Sequence, residues 1–193
     1  MQTESVRLRA KILEANPSEL SQVADFVGNK YRQLFGTSPQ IAPEELCFVA
    51  KQHGRIVGTI SVEFAEGANQ FRLEKIYNFD LGKNRDSFTV FGKFIAEIPG
   101  LGPALAYTAV SYAIGRRKKF ALCCSKPQFL GMLQKKYGLK FAVIASEINS
   151  GEINPWDAEF FGTTPKPRLY SWHLAGWHDI LKEKIPPWAE ICL

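Results

Sequence analysis

Eighteen consecutive residues, Ile98 to Gly115, carry no charge, and this run constrains the fold more than any other part of the chain. It lies at the lower edge of what could span a membrane. Three glycines, two prolines and several hydroxyl side chains interrupt it, so no transmembrane segment is expected. The opening EIPGLG reads as a glycine-containing turn. The remainder, PALAYTAVSYAIGRRKK, places apolar residues almost all the way round a helix and ends in cations that complement the helix dipole. Such a helix must be buried, so the rest of the chain has to supply a sheet that covers it.

Strand patterns meet that need. LCFVAKQ (46–52) and RIVGTISVEF (55–64) are β-rich and joined through His53-Gly54, short enough for an antiparallel hairpin. FRLEKIY and SFTVFGKFIA read as a second pair. Val6 to Leu13, FALCC, LKFAVIA and LYSWHLA read as further strands, and HDILKEK as a short helix. A longer helix is predicted over NPSELSQVADFVGNKYRQLFG. Asn16 can cap it, Pro17 suits its first position, Glu19 completes a capping box and Gly36 suits a left-handed end. Pro127 to Tyr137, stopped by Gly138, reads as another helix. Asn149 to Pro167 reads as a long loop anchored by Trp156, Phe160 and Phe161. No linker, repeat or low-complexity tract divides residues 1–193, so one α/β (α+β) domain is expected, its core running in the order β-α-ββββ-α-β-α-β.

Composition excludes other classes. Hydrophobic residues make up 46% and charged residues 22%, far from the composition of disordered chains. The net charge of +5 favours an anionic ligand. Nucleic acid is not expected, because the basic residues are not interleaved with aromatics in a strand platform. Cys47, Cys123, Cys124 and Cys192 lack zinc-site spacing and are too sparse for a disulfide scaffold. His173, His178 and Asp179 make a poor ligand set, so no metal is expected. The sparse cysteines lead to the expectation of a reducing cytoplasm, and the charge-scattered start MQTESVRLRAKILEAN does not read as a secretory signal.

The element order from about Val6 to Ala145 resembles the GNAT acyltransferase superfamily: a hairpin pair before a strand, a G-x-G turn, a buried helix, a short strand, then a helix ending in YGLKF. Three segments resemble the branch that holds autoinducer synthases, N-acyl amino acid synthases and thermostable-haemolysin-like proteins. They are NKYRQLFG, LEKIYNFDL and VFGKFIA. The chain also departs from the pattern. Val90 stands where the branch has a glutamate and Lys93 where it has an arginine. Glu97 leads the turn in place of Gln or Arg, and Gln134 replaces the tyrosine that often serves as general acid. The resemblance implies a mixed, mostly antiparallel sheet flanked by helices and splayed between the fourth and fifth strands.

It also implies chemistry: transfer of an acyl group from a coenzyme A or acyl carrier protein thioester to the amine of a small molecule, such as an amino acid derivative. The alternatives are a non-catalytic binder of acyl thioesters or carrier proteins, and a plain N-acetyltransferase using acetyl-CoA. The donor would run along Phe94, Ile95 and Ala96, with its anionic end on the amides of Gly100, Leu101, Gly102, Pro103 and Ala104. Glycine lets the backbone approach closely there, and Pro103 suits a first helical position.

Attack by an amine calls for a carboxylate base. Glu74 is the first candidate, unless it merely pairs with Lys75 or Arg72 on a strand surface. Glu97, at the end of the fourth strand, is the second, unless it only caps or pairs. Cys123-Cys124-Ser125 before a helix could supply a nucleophile, or simply small buried thiols, and Ser125 is also a donor-contacting candidate. Arg116 and Arg117, with Lys118, Lys119, Lys135, Lys136 and Lys140, could face a carrier protein or coenzyme A phosphates, or form solvated helix ends. Fourteen phenylalanines and four tryptophans leave room for a medium or long acyl chain.

Overall fold

The computed structural model describes residues 9–42, 45–65 and 69–192. Among the described residues, eight strands form one sheet: β1 (Ala10–Glu14), β2 (Leu46–Gln52), β3 (Arg55–Phe64), β4 (Phe88–Ala96), β5 (Phe120–Ser125), β6 (Ala142–Ala145), β7 (Arg168–His173) and β8 (Ala189–Cys192). Their order is β6-β7-β5-β4-β3-β2-β1-β8. Neighbours run antiparallel except for β4 with β5 and β1 with β8. The mixed, mostly antiparallel sheet expected from the sequence is present. Of the expected opening strand, residues 6–8 lie outside the described residues.

Two helices cover the two faces of the sheet. Along β2, Cys47 and Val49 pack with Val23 and Val27 of α1 (Leu20–Phe35), while Phe48 and Ala50 pack with α3 (Leu101–Gly115). Strand alternation therefore buries both faces, which is why β2 reads as a nearly continuous apolar run. In the β2–β3 hairpin, His53 and Gly54 adopt φ of 50° and 77°, the left-handed pair that a two-residue turn requires. A short 3-10 turn, Pro17–Glu19, leads into α1, and the Asn16 N–H donates to Glu19 Oε2 at 3.3 Å. Gly36 closes α1 at φ 69°. Leu101, Ala104, Leu105, Ala109, Val110 and Ala113 are fully buried on α3, as its charge-free sequence requires.

The segment FRLEKIY corrects the strand expectation, for it forms the short helix α2 (Arg72–Ile76). The Phe71 N–H donates to Glu74 Oε2 at 2.8 Å and starts the turn, while Phe71 and Ile76 bury on the same cluster. LYSWHLA is divided: β7 ends at His173, and Leu174 begins α6 (Leu174–Lys182), of which HDILKEK supplies the later part. The 149–167 segment contains two 3-10 turns and α5 (Ala158–Gly162). Phe161 is buried there, whereas Trp156 is 39% exposed. α4 (Pro127–Tyr137) follows β5 as expected.

One irregularity shapes the middle of the sheet. Between the pairs Ser61↔Gly92 and Thr59↔Ile95, β3 contributes only Ile60 while β4 contributes Lys93 and Phe94. This is a bulge, with Lys93 at φ 46°. On the other edge, β4 registers with β5 at Phe88↔Phe120, Thr89↔Ala121 and Val90↔Leu122. Further along, Gly92 to Phe94 and Cys123 to Ser125 stand on the two sides of a cavity.

Candidate active site

Three connected spaces occupy this part of the molecule. A groove of about 340 Å³ runs past Phe94, Ile95 and Ala96 to Gly100, Gly102 and Pro103, with Phe129, Leu133 and Lys136 of α4 on its other side. Phe94, Ala106, Phe129, Leu133 and Trp177 are shared between this groove and an apolar cavity of about 150 Å³. Phe35, Phe141, Phe160 and Trp172 complete that cavity's walls. A third chamber of about 160 Å³ adjoins it through Tyr31, Phe91, Gly92, Lys93, Cys124 and Phe160, and is rich in charge.

The charged chamber is held by internal pairs. Lys93 binds Glu45, and both side chains are nearly buried. Arg72 Nη2 donates to Asp157 Oδ2 at 2.8 Å, tying α2 to the 149–167 segment. Glu63, Ser61 and Thr37 also line the chamber, and the buried Thr37 hydroxyl has no hydrogen-bond partner among the described residues. Val90 presents an apolar side chain where the resemblance led to a glutamate, so the chamber's carboxylates come from other elements. Sequence reasoning missed Tyr31, Glu45, Glu63, Arg72 and Asp157 as lining residues. Tyr31 lies inside the noted NKYRQLFG segment, and Ser61 and Glu63 share one face of β3 by simple alternation.

The expected donor residues are brought together in the groove. Phe94, Ile95, Ala96, Gly100, Gly102 and Pro103 line it, and Ser125 lines the adjoining apolar cavity. Gly100 caps α3 at φ 87°, and a Cβ on Gly102 would come within 3.2 Å of Phe94 Cζ. The turn offers fewer amides than expected, because the Leu101 N–H already donates to the Ile98 carbonyl at 3.1 Å and Pro103 has none. Ala104 is fully buried and Leu101 likewise, so neither lines the groove. Arg116 and Arg117 do not join the site. At about 1.5 Å per residue they lie roughly 20 Å from Gly102, beyond the other end of α3. Arg116 instead sits 5.4 Å over the Tyr112 ring and donates to its hydroxyl. Lys136 is the basic residue that reaches the groove.

Neither expected base lines any of these spaces. Glu74 is 1% exposed, and its oxygens accept from Phe71 N (2.8 Å), Leu81 N (2.9 Å) and the Arg85 guanidinium (2.9 and 3.0 Å). Its carboxylate holds α2 and the following turn together, and its partner is Arg85, not Lys75 or Arg72. Glu97 is paired with Lys30 at 2.6 Å and Arg55 at 3.1 Å. Those two cations offset the negative charge that the sequence places beside the turn.

The thiols behave as buried groups. Burial pushes the Cys124 thiol up to about 12 and the Cys123 thiol higher still. Cys124 Sγ lies 3.1 Å from the Tyr77 hydroxyl. Neutral thiols make weak nucleophiles. Among the described residues no cluster of three His, Cys, Asp or Glu could hold a metal ion, and no helix is long and apolar enough to cross a membrane.

No protein-family model and no curated protein matches the sequence. Solved structures do match the fold. An N-acyl amino acid synthase from uncultured soil microbes, FeeM, shares 16% identity over 88% of this chain and 93% of its own, with a TM-score of 0.66. The coenzyme A-dependent acyl-homoserine lactone synthase BjaI shares 8% identity over 96% and 93% of the two chains, with a TM-score of 0.63. A GNAT-family acetyltransferase from Staphylococcus aureus Mu50 shares 14% identity over 86% and 99%, with a TM-score of 0.52. The architecture of this chain is thus that of the GNAT acyltransferases, shared with acyl-homoserine lactone and N-acyl amino acid synthases.

Proposed function

We propose that this protein transfers an acyl group from a thioester donor to the amine of a small molecule. The observation that carries the reading is the meeting, at the β4 bulge, of a groove, an apolar cavity and a charged chamber. A pantetheine arm fits the groove, because the main chain of β4 past Val90 is not registered with β5 and can pair with amides of the arm. The acyl chain fits the apolar cavity, whose aromatic walls favour medium or long chains over acetyl. An amine that also carries a carboxylate fits the chamber, where Lys93 and Arg72 offer cations and Glu45, Glu63 and Asp157 offer anions. Those carboxylates, in place of Glu74 and Glu97, can accept the proton that an incoming ammonium has to lose before attack.

Coenzyme A or an acyl carrier protein would present the donor. BjaI, of the same fold, has been solved with isopentyl-CoA. Leu34, Phe129 and Met132 are exposed at the groove, and Lys136 lines it beside them. An apolar rim with adjacent positive charge suits the acidic surface of a carrier protein.

Free-thiol release tests the reading. Decanoyl-CoA, acetyl-CoA and decanoyl carrier protein are each offered with a panel of amino acids, and the acylated amine is identified by mass. Decanoyl donors are expected to turn over. Silence across every donor and acceptor, with donor binding retained, would replace the enzyme by a non-catalytic acyl-thioester binder.

A further inference from the structure

Among the six residues that line both the apolar cavity and the charged chamber, three carry a side-chain proton that can be exchanged: Tyr31, Lys93 and Cys124. Lys93 is committed to Glu45, and Cys124 is in contact with the Tyr77 hydroxyl. The Tyr31 hydroxyl has no hydrogen-bond partner among the described residues, although Glu45, Asp157, Cys123 and Cys124 all act on it electrostatically. Its ring is fixed from the side, 5.3 Å from the Phe35 ring, which in turn stands 5.5 Å from Phe160. Tyr31 therefore brings a positioned and unspent hydroxyl, carried on α1, to the wall between the two spaces. Gln134 of α4 cannot fill that role, since it is exposed and lines none of the spaces.

We propose that Tyr31 is a catalytic proton relay, giving its hydroxyl proton to the departing thiol sulfur while taking one from the attacking nitrogen. The inference rests on the acyl-transfer reading above. In the step, the nitrogen–carbon bond forms and the carbon–sulfur bond breaks, with the electron pair leaving on sulfur. The nitrogen, cationic after attack, passes one proton to the Tyr31 oxygen as that oxygen passes its own to sulfur. Amide and free thiol result, and the phenol is neutral before and after. Burial suits a relay better than a simple acid, because it raises the Tyr31 ionisation well above the ordinary phenol range, with Cys124, Glu45 and Asp157 adding to the effect. A phenol there resists becoming a lone phenolate, but loses nothing when it gains a proton as it gives one.

The test is Tyr31→Phe, which keeps the ring and removes only the hydroxyl. The wild type is first assayed with decanoyl-CoA and the best acceptor of the amino acid panel. The variant is expected to lose roughly 100-fold in kcat, at the low end of general acid–base effects. Its KM for decanoyl-CoA should stay within about threefold, since the hydroxyl acts on the transition state. The discriminating readout is the S-phenyl thioester of decanoic acid, whose thiolate leaves without needing a proton. With it, the ratio of wild-type to variant kcat/KM should shrink to within about fivefold. Equal losses with both donors would assign Tyr31 a merely structural part and overturn the relay, as would a variant with kcat within threefold of wild type on decanoyl-CoA. Absence of turnover in the wild type is a different result, seen before any variant is made, and it would remove the acyl-transfer reading and the relay together.

Discussion

Glu74→Ala separates a structural carboxylate from a catalytic one. Truncation leaves the Phe71 and Leu81 amides and the Arg85 guanidinium without their common acceptor, in a place where Glu74 is 1% exposed. Breaking a buried ion pair by removing one partner costs about 3–5 kcal/mol, and each stranded amide adds roughly 1–3 unless water reaches it. Because α2 has only five residues, local opening will admit water, so a total of about 4 kcal/mol is the reasonable expectation. For a chain of this size each kcal/mol is worth roughly 2–4 °C, so the unfolding midpoint should fall by about 8–16 °C. Glu74→Gln keeps the shape and one carbonyl acceptor, and should fall by roughly half as much. Differential scanning calorimetry measures both variants, and donor affinity below the new midpoint should match the wild type. An unchanged midpoint with turnover lost more than about 100-fold would refute the structural assignment and return Glu74 to the position of base.

Gly102→Ala places a Cβ 3.2 Å from Phe94 Cζ, at the point where the groove meets α3. It should weaken decanoyl-CoA binding by about tenfold, or 1.4 kcal/mol, in calorimetry, with a small effect on stability. Leu133 lines both the groove and the apolar cavity, so Leu133→Trp should lower kcat/KM for decanoyl-CoA by at least about tenfold and for acetyl-CoA by less than about threefold. Alkaline pH should destabilise the fold. Cys123, Cys124, Tyr31 and Tyr77 all hold their protons more tightly when folded, chiefly through burial. Their contribution is complete below the unfolded values of 9.0 for the thiols and 10.0 for the phenols, and is lost as pH rises towards the folded values. Each group titrated only in the unfolded chain gives a slope of about 1.4 kcal/mol per pH unit, so urea midpoints should drop steeply between about pH 9 and 10.5. A flat profile there would show the four groups to be solvated.

The parts of the fold governed by local chemistry were legible in the sequence. Asn16, Pro17, Glu19 and Gly36 mark both ends of the first helical segment because caps and left-handed residues act within one turn. His53-Gly54 marks the hairpin for the same reason, and the turn beside the groove was legible because Gly100, Gly102 and Pro103 carry their conformational demands in their side chains or the lack of them. FRLEKIY was misread because its alternation of apolar and charged residues fits a half-buried strand. What decides for helix is Glu74 gathering Arg85 and Leu81, seven to eleven residues ahead, into one buried site. The chamber was harder still. Glu45 and Lys93 lie 48 residues apart, and Arg72 and Asp157 85 apart, so each pair becomes visible only once the sheet and the 149–167 segment are in place.

Lys93 links backbone and chemistry at the centre of that arrangement. A lysine at φ 46° costs on the order of 1 kcal/mol relative to the ordinary strand conformation, and glycine would remove this cost. The ammonium, however, is nearly buried against Glu45, a pair whose breaking costs more than the strain. The same residue that disrupts the β4 ladder thus anchors the disruption with its side chain. The bulge adds one residue to β4 just beyond its last register with β5, at Val90↔Leu122, and the strand edge it leaves unregistered borders all three spaces. Substituting glycine would ease the backbone yet free Glu45 to carry an unpaired charge into the chamber. Selection of a strained lysine over a relaxed glycine is therefore explained by the charge it holds in place, not by the geometry of the strand.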